Sequence, residues 1–389
     1  MDCVQELYAD NDLSLLKKLT LIIPTHNRNF YLSRCLWYHA HFPFGEIIVA
    51  DSSVEEKRVV NRETVQKIRD MFGAHITYLE YDYPAEEYGG EIYRKWGDSV
   101  HHGKTEYSQS CTDKEFLIPT TIIRCIKFLD EHPDYSIAEG MDYQIRHNEN
   151  NELAFYPWQG DKSYSSDKPL DRIYSSLTVN CAVGTQFSVQ RANNHKKIFD
   201  DMVKYDLYDI RYGEALIELA PLIFGKTQKF SFDAGNIRDT CSFKSGGIIS
   251  KINLSESSCR RYPLIPDYPQ ERYDSQYANL HSCLSDELCD AQAEIDHSEN
   301  VNKVINQFLS KRYQYKQSIL NKHKKLQLRV QRTWDALPLK LQEKIRKLLG
   351  EAIIAQSSNP ETKLTPEMKC IKDIILSKKE YYESDIPII

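Results

Sequence analysis

Within Tyr107–Phe116, reading YSQSCTDKEF, Asp113 and Glu115 flank Lys114, and this is where the chain could most directly hold a hard cation. In a strand, residues two apart project to the same side, so the two carboxylates are predicted to face one pocket while Lys114 points elsewhere. Such a pair suits a divalent cation bound to a diphosphate, because magnesium takes oxygen ligands and usually only one or two protein carboxylates. The same spacing also suits a solvated acidic turn. Other chemistries find less support. The ten cysteines include no CxxC pair, which argues against a zinc ribbon or dithiol motif, and neither a Ser-His-Asp arrangement nor a GxxxxGK loop is identifiable.

The elements that would position these acids begin at Leu19-Thr20-Leu21-Ile22-Ile23-Pro24, an apolar run ended by proline, as in a buried parallel strand. Thr25-His26-Asn27-Arg28-Asn29 reads as a loop, Tyr31 to Ala40 as a helix, and Glu46 to Ala50 as a second strand ending in Asp51-Ser52-Ser53. Strand, loop, helix and strand of this length form a βαβ unit with parallel strands. Ligands of such sheets bind beyond the carboxyl ends of the strands. Pro24, Thr25, His26, Asn27, Arg28, Asp51 and Ser52 are therefore expected beside Thr112 and Asp113, with Lys95 reaching in from a helix over Glu91–His102.

Further strands are expected at His75–Glu80, Tyr135–Gly140, Met141–Arg146, Val179–Val189 and Lys229–Phe232, and helices at Val54–Phe72, Pro119–Glu131 and from Ile210 to Gly225. Tyr81–Gly90 reads as a loop over the crevice. Tyr156, Trp158 and Tyr164 offer an acceptor platform or simply a packed loop. Past Leu254 the composition changes: Pro263, Pro266 and Pro269 mark a linker, and apolar stripes at Val301–Leu309 and Leu341–Leu349 predict helices. Between Lys311 and Lys347 the charges are almost all Lys and Arg, which suits either peripheral contact with anionic lipid or the solvated face of a helical bundle.

The chain has 389 residues, 41% hydrophobic and 27% charged, with a net charge of −6. That balance argues against a dedicated nucleic-acid binder. Without an apolar run of eighteen residues or a signal-like N-terminus, the expected location is cytoplasmic, or peripheral at the inner face of a membrane.

The order LTLIIPTHNRNFYLSRCL, EIIVADSS, an acidic cluster closing a strand, and a late helix with an early acid resembles the inverting glycosyltransferases of the GT-A type, close to family 2. It looks most like a bacterial branch in which a DSS motif ends the second strand; the likeness covers about Leu19 to Thr240. It implies an α/β GT-A fold, a Rossmann-like mixed, mainly parallel sheet flanked by helices, over residues 1–250, with a C-terminal linker and α-helical region over 251–389. It also implies a nucleotide-sugar donor, a glycan or lipid-linked acceptor in bacterial surface polysaccharide synthesis, and Mg2+ or Mn2+ held by Asp113 and Glu115. By position, Asp51 matches the acid that meets the base or ribose, Glu214 the catalytic base, and Arg238 a loop residue that touches phosphate. The sequence departs from the family where Lys114 replaces the central acid of the cluster, and this charge would partly replace the cation if it faced the site. Two rivals are a catalytically silent scaffold or glycan-binding protein and a sugar-phosphate nucleotidyltransferase. A homo-oligomer is compatible with the helical tail.

Overall fold

Leu21 and Ile23 turn to one face of their strand and Ile22 to the other, and all three are fully buried, because this run becomes an interior strand covered on both sides. The computed structural model describes residues 3–8, 12–83, 90–147, 153–157, 162–178, 184–239, 270–291, 299–309 and 364–376. After a short helix, α1 (Cys3–Tyr8), the order is β1 (Leu19–Thr25), α2 (Asn29–His39), β2 (Glu46–Asp51), α3 (Glu55–Phe72), β3 (Ile76–Glu80), α4 (Gly90–His102), β4 (Tyr107–Ser110), β5 (Glu115–Leu117) and α5 (Pro119–Glu131). There follow β6 (Tyr135–His147), β7 (Leu153–Pro157), α6 (Pro169–Thr178), β8 (Val189–Arg191), α7 (Ala192–Lys204), α8 (Ile210–Phe224) and β9 (Lys226–Asp239). The later helices are α9 (Gln270–Asp290), α10 (299–309) and α11 (Pro366–Leu376).

One mixed sheet runs β3-β2-β1-β4-β8-β6-β9-β5, with β7 added to β6. Strands β3, β2, β1 and β4 are mutually parallel, and β8 is antiparallel to both β4 and β6. The fold is thus the expected α/β class, a mixed sheet flanked by helices. The parallel quartet carries its carboxyl ends to one edge, where Thr25, Asp51 and the chain beyond Ser110 meet.

Several local expectations are corrected. Tyr107–Phe116 is not one strand: residues 113 and 114 form a turn between β4 and β5, so strand alternation does not govern the acids. The two strands expected over 135–146 are one strand with register shifts at Gly140 and Met141, where Gly140 and Gly235 lie so close that a Cβ on either would meet the other's Cα at 2.8 Å. Of Val179–Val189, residues 179–183 lie outside the described residues, Gly184–Phe187 is a 3-10 turn, and β8 begins only at Val189. Strand β9 is far longer than Lys229–Phe232, and α6 and α7 were not anticipated. The proline-marked linker, the Leu341–Leu349 stripe and the basic stretch Lys311–Lys347 lie outside the described residues.

The helices past residue 250 enter the same cores as the rest. Leu280, Leu284, Val304 and Ile305 pack with α4, α7 and α8, while Met368, Ile371 and Ile374 of α11 join the core around Tyr38 and Phe42. Thr365 caps α11, its hydroxyl accepting from the Met368 N–H at 3.3 Å. Where α9 meets α7, Lys197 bridges Asp201 and Glu287. Burial, and then the Glu287 charge, push the Asp201 carboxyl up to about 6. A carboxyl raised in the folded state favours folding at low pH, and this contribution is lost as pH rises through the folded value. Asp201→Asn is therefore expected to raise Tm by about 2 °C at pH 7.5 and to change it little near pH 4, read by calorimetry across that range.

Among the described residues, no helix is long and apolar enough to cross a membrane.

Candidate active site

The β1–α2 and β2–α3 loops are laced together at the carboxyl edge of the sheet. His26 Nδ1 donates to the Ser52 carbonyl at 2.8 Å, the Asn27 N–H donates to Ser53 Oγ at 2.7 Å, and Asn27 Oδ1 accepts from the Val54 N–H at 2.9 Å. Asn27 adopts φ 55°, a left-handed conformation that asparagine tolerates better than most side chains. From α4, Lys95 donates to the Thr25 carbonyl and to Ser52 Oγ, both at 2.8 Å. Burial depresses its ammonium to about 8, with Asp51 and Asp113 opposing the shift.

Asp51 closes the second strand beneath the same loops. It is fully buried, and its carboxylate accepts from the Ser53 N–H at 2.7 Å, Asn61 Nδ2 at 2.6 Å and the Tyr78 hydroxyl at 2.6 Å. In this arrangement it shapes the Ser52-Ser53 turn from beneath.

The acidic turn is joined to the same loops. Asp113 is buried; its Oδ2 accepts from Thr25 Oγ1 at 2.9 Å and its Oδ1 from Arg28 Nη1 at 3.2 Å. Burial raises this carboxyl, and Arg28 pulls the other way. Glu115, in contrast, is directed into β9. Its Oε2 accepts from the Thr112 N–H at 2.7 Å and its Oε1 from Arg238 Nε at 2.6 Å, with Arg238 Nη2 also paired to it. Arg238 lies 4.8 Å above the Phe187 ring. The expectation that Asp113 and Glu115 share one pocket is therefore not met: each carboxylate has its own guanidinium, and the turn at 113–114 separates them. Lys114 is half-buried with Nζ 4.7 Å from the Tyr31 ring centroid. Burial lowers its ammonium, as does the nearby Arg28 charge.

A divalent cation at Asp113 and Glu115 fits this arrangement poorly. Both Glu115 oxygens are engaged and the residue is wholly buried. Among the described residues the one cluster of three or more ligand-type side chains is Cys35, His39 and Cys111, all buried behind the turn. Here the imidazole is committed: Nε2 accepts from the Leu117 N–H at 3.2 Å, leaving Nδ1 protonated to donate to the Cys35 carbonyl at 2.8 Å. With neither nitrogen open, the two sulfurs alone remain, and burial pushes the Cys111 thiol up.

Nothing in the sequence pointed to the pair that anchors this corner. Arg34 of α2 is buried against the Phe30, Tyr31 and Phe116 rings and donates to Asp239 Oδ2 at 2.5 Å, while the Asp239 N–H donates to the Lys114 carbonyl at 2.8 Å. The end of β9 is thereby tied to both α2 and the acidic turn. Glu214 lies in the second turn of α8, half-buried. Its neighbour Gly213 packs on the ring of Tyr93, two residues before Lys95 in α4. Of the proposed aromatic platform, Tyr164 pairs with Thr227 across the sheet edge, Tyr156 is on β7, and Trp158 lies outside the described residues.

No family model and no curated protein matches this chain. Among solved structures, S. aureus TarS 1-349 in complex with UDP-GlcNAc is similar at 13% identity and TM-score 0.43, covering 76% of this chain and 81% of that one. The longer S. aureus TarS gives 13% and 0.39, with 52% of that chain covered. The mannosyltransferase PcManGT from Pyrobaculum calidifontis, in complex with GDP-Man and Mn2+, gives 13% and 0.38, with 88% of each chain covered.

Proposed function

We propose that this chain is a glycosyltransferase that moves a sugar from a nucleotide-sugar donor to a glycan or lipid-linked acceptor with inversion. The observation that supports this best is the convergence of Thr25, His26, Asn27, Arg28, Ser52, Lys95 and Asp113 at the carboxyl edge of the parallel strands. Cationic and backbone groups gathered there suit a diphosphate. The leaving diphosphate would lie along Arg28 and Lys114, whose charges offset those that develop on the leaving oxygen. Glu214 would accept the proton of the acceptor hydroxyl as that oxygen attacks from the opposite face. The basic stretch over 311–347, on this reading, brings the enzyme to an anionic membrane surface where lipid-linked glycans reside.

Thermal unfolding against a panel of nucleotide sugars tests the donor site. One nucleotide is expected to raise Tm in a concentration-dependent way, and a flat response across the panel would remove the donor reading. A silent glycan-binding relative, the reading that Lys114 favours, would show no consumption of a nucleotide sugar that it nonetheless binds.

A further inference from the structure

We infer that the diphosphate in this crevice is neutralised by side chains of the chain itself, Arg28 and Lys114, and that Arg238 keeps Glu115 out of any metal ligand set. This rests on the donor reading above. A hard cation needs carboxylate lone pairs that face outward. Glu115 is wholly buried, with Oε2 accepting from the Thr112 N–H and Oε1 taken up by Arg238, so a cation on Oε1 would have to displace that guanidinium from a buried carboxylate. Arg238 thus holds the place beside Glu115 that a divalent ion would take, and supplies one positive charge where the ion would bring two.

The other half of the substitution is at Asp113. A cation placed on this carboxylate would sit against the Arg28 guanidinium, which already donates to it at 3.2 Å. Lys114 follows Asp113 directly in the turn, with its Nζ 4.7 Å from the Tyr31 ring centroid. Phosphate binding by lysine as a point charge and by arginine as a fork is ordinary protein chemistry.

The experiment is calorimetric titration of the full chain with UDP, GDP, CDP, ADP and dTDP, each in EDTA and in Mn2+, alongside electron paramagnetic resonance of Mn2+ mixed with the protein alone. The diphosphate that binds is expected to do so with the same affinity in both buffers to within about twofold, and the Mn2+ spectrum is expected to remain that of the free ion. Lys114→Met is expected to weaken binding in EDTA by roughly tenfold or more, and Lys114→Arg to restore most of it. Binding that appears only with Mn2+, a bound Mn2+ signal lost in Glu115→Gln, or a silent Lys114→Met would each overturn the inference while leaving the donor site standing. Absence of binding in both buffers would instead remove the donor reading, and this inference with it.

Discussion

Glu214→Gln is expected to lower turnover of a nucleotide sugar by about 10²- to 10⁴-fold while leaving nucleotide affinity within about twofold, as removal of a general base does when binding lies elsewhere. Glutamine keeps the size and most hydrogen bonds of glutamate but cannot take a proton. Its position in α8, a helix that packs on the same α4 that delivers Lys95, makes the substitution conformationally mild. The two readouts must be taken together. Turnover kept at the native level would remove Glu214 as the base, whereas loss of both turnover and affinity would place it in donor binding.

The second large effect is on stability. Arg34→Leu is expected to cost about 3–5 kcal/mol, because it leaves the Asp239 carboxylate buried without its guanidinium. The aromatic rings around Arg34 would accept the leucine, so lost charge compensation rather than lost packing is the source of the effect. The double variant Arg34→Leu/Asp239→Leu should recover most of that loss in denaturant unfolding, since replacing both partners removes the stranded charge. If the double variant is no more stable than the single one, the pair is not the reason for the loss.

Much of the architecture is written in local patterns. The βαβ unit from β1 to β2 follows from an apolar run, a polar loop and a helical stripe, and α5 was expected with its observed bounds because isoleucines recur at helical spacing behind Pro119. Where local pattern misled, a competing signal was present. In YSQSCTDKEF the polar residues suit either a strand end or a turn, and pairing of Glu115–Leu117 with β9 decided it. Helix α7 begins with Ala-Asn-Asn-His-Lys-Lys, too polar to announce itself; its apolar face is supplied by Ile198, Phe199 and Met202 packing on α4 and α8.

The candidate site was legible in which residues come together more than in how they are wired. Thr25, Arg28, Ser52, Lys95 and Asp113 do meet, because a βαβ sheet brings strand ends to one edge whatever the side chains. Which acid pairs with which base is another matter. Arg34 and Asp239 are 205 residues apart in sequence, and Glu115 and Arg238 are 123 apart. Such partnerships come from the late return of β9 to the sheet, which no local spacing announces.

That α11 packs among Tyr38 and Phe42 and touches α1 has a topological consequence. The chain from residue 310 to residue 363 joins α10, seated in one core, to α11, seated in the other. A nick within it would leave α11 attached without a covalent link.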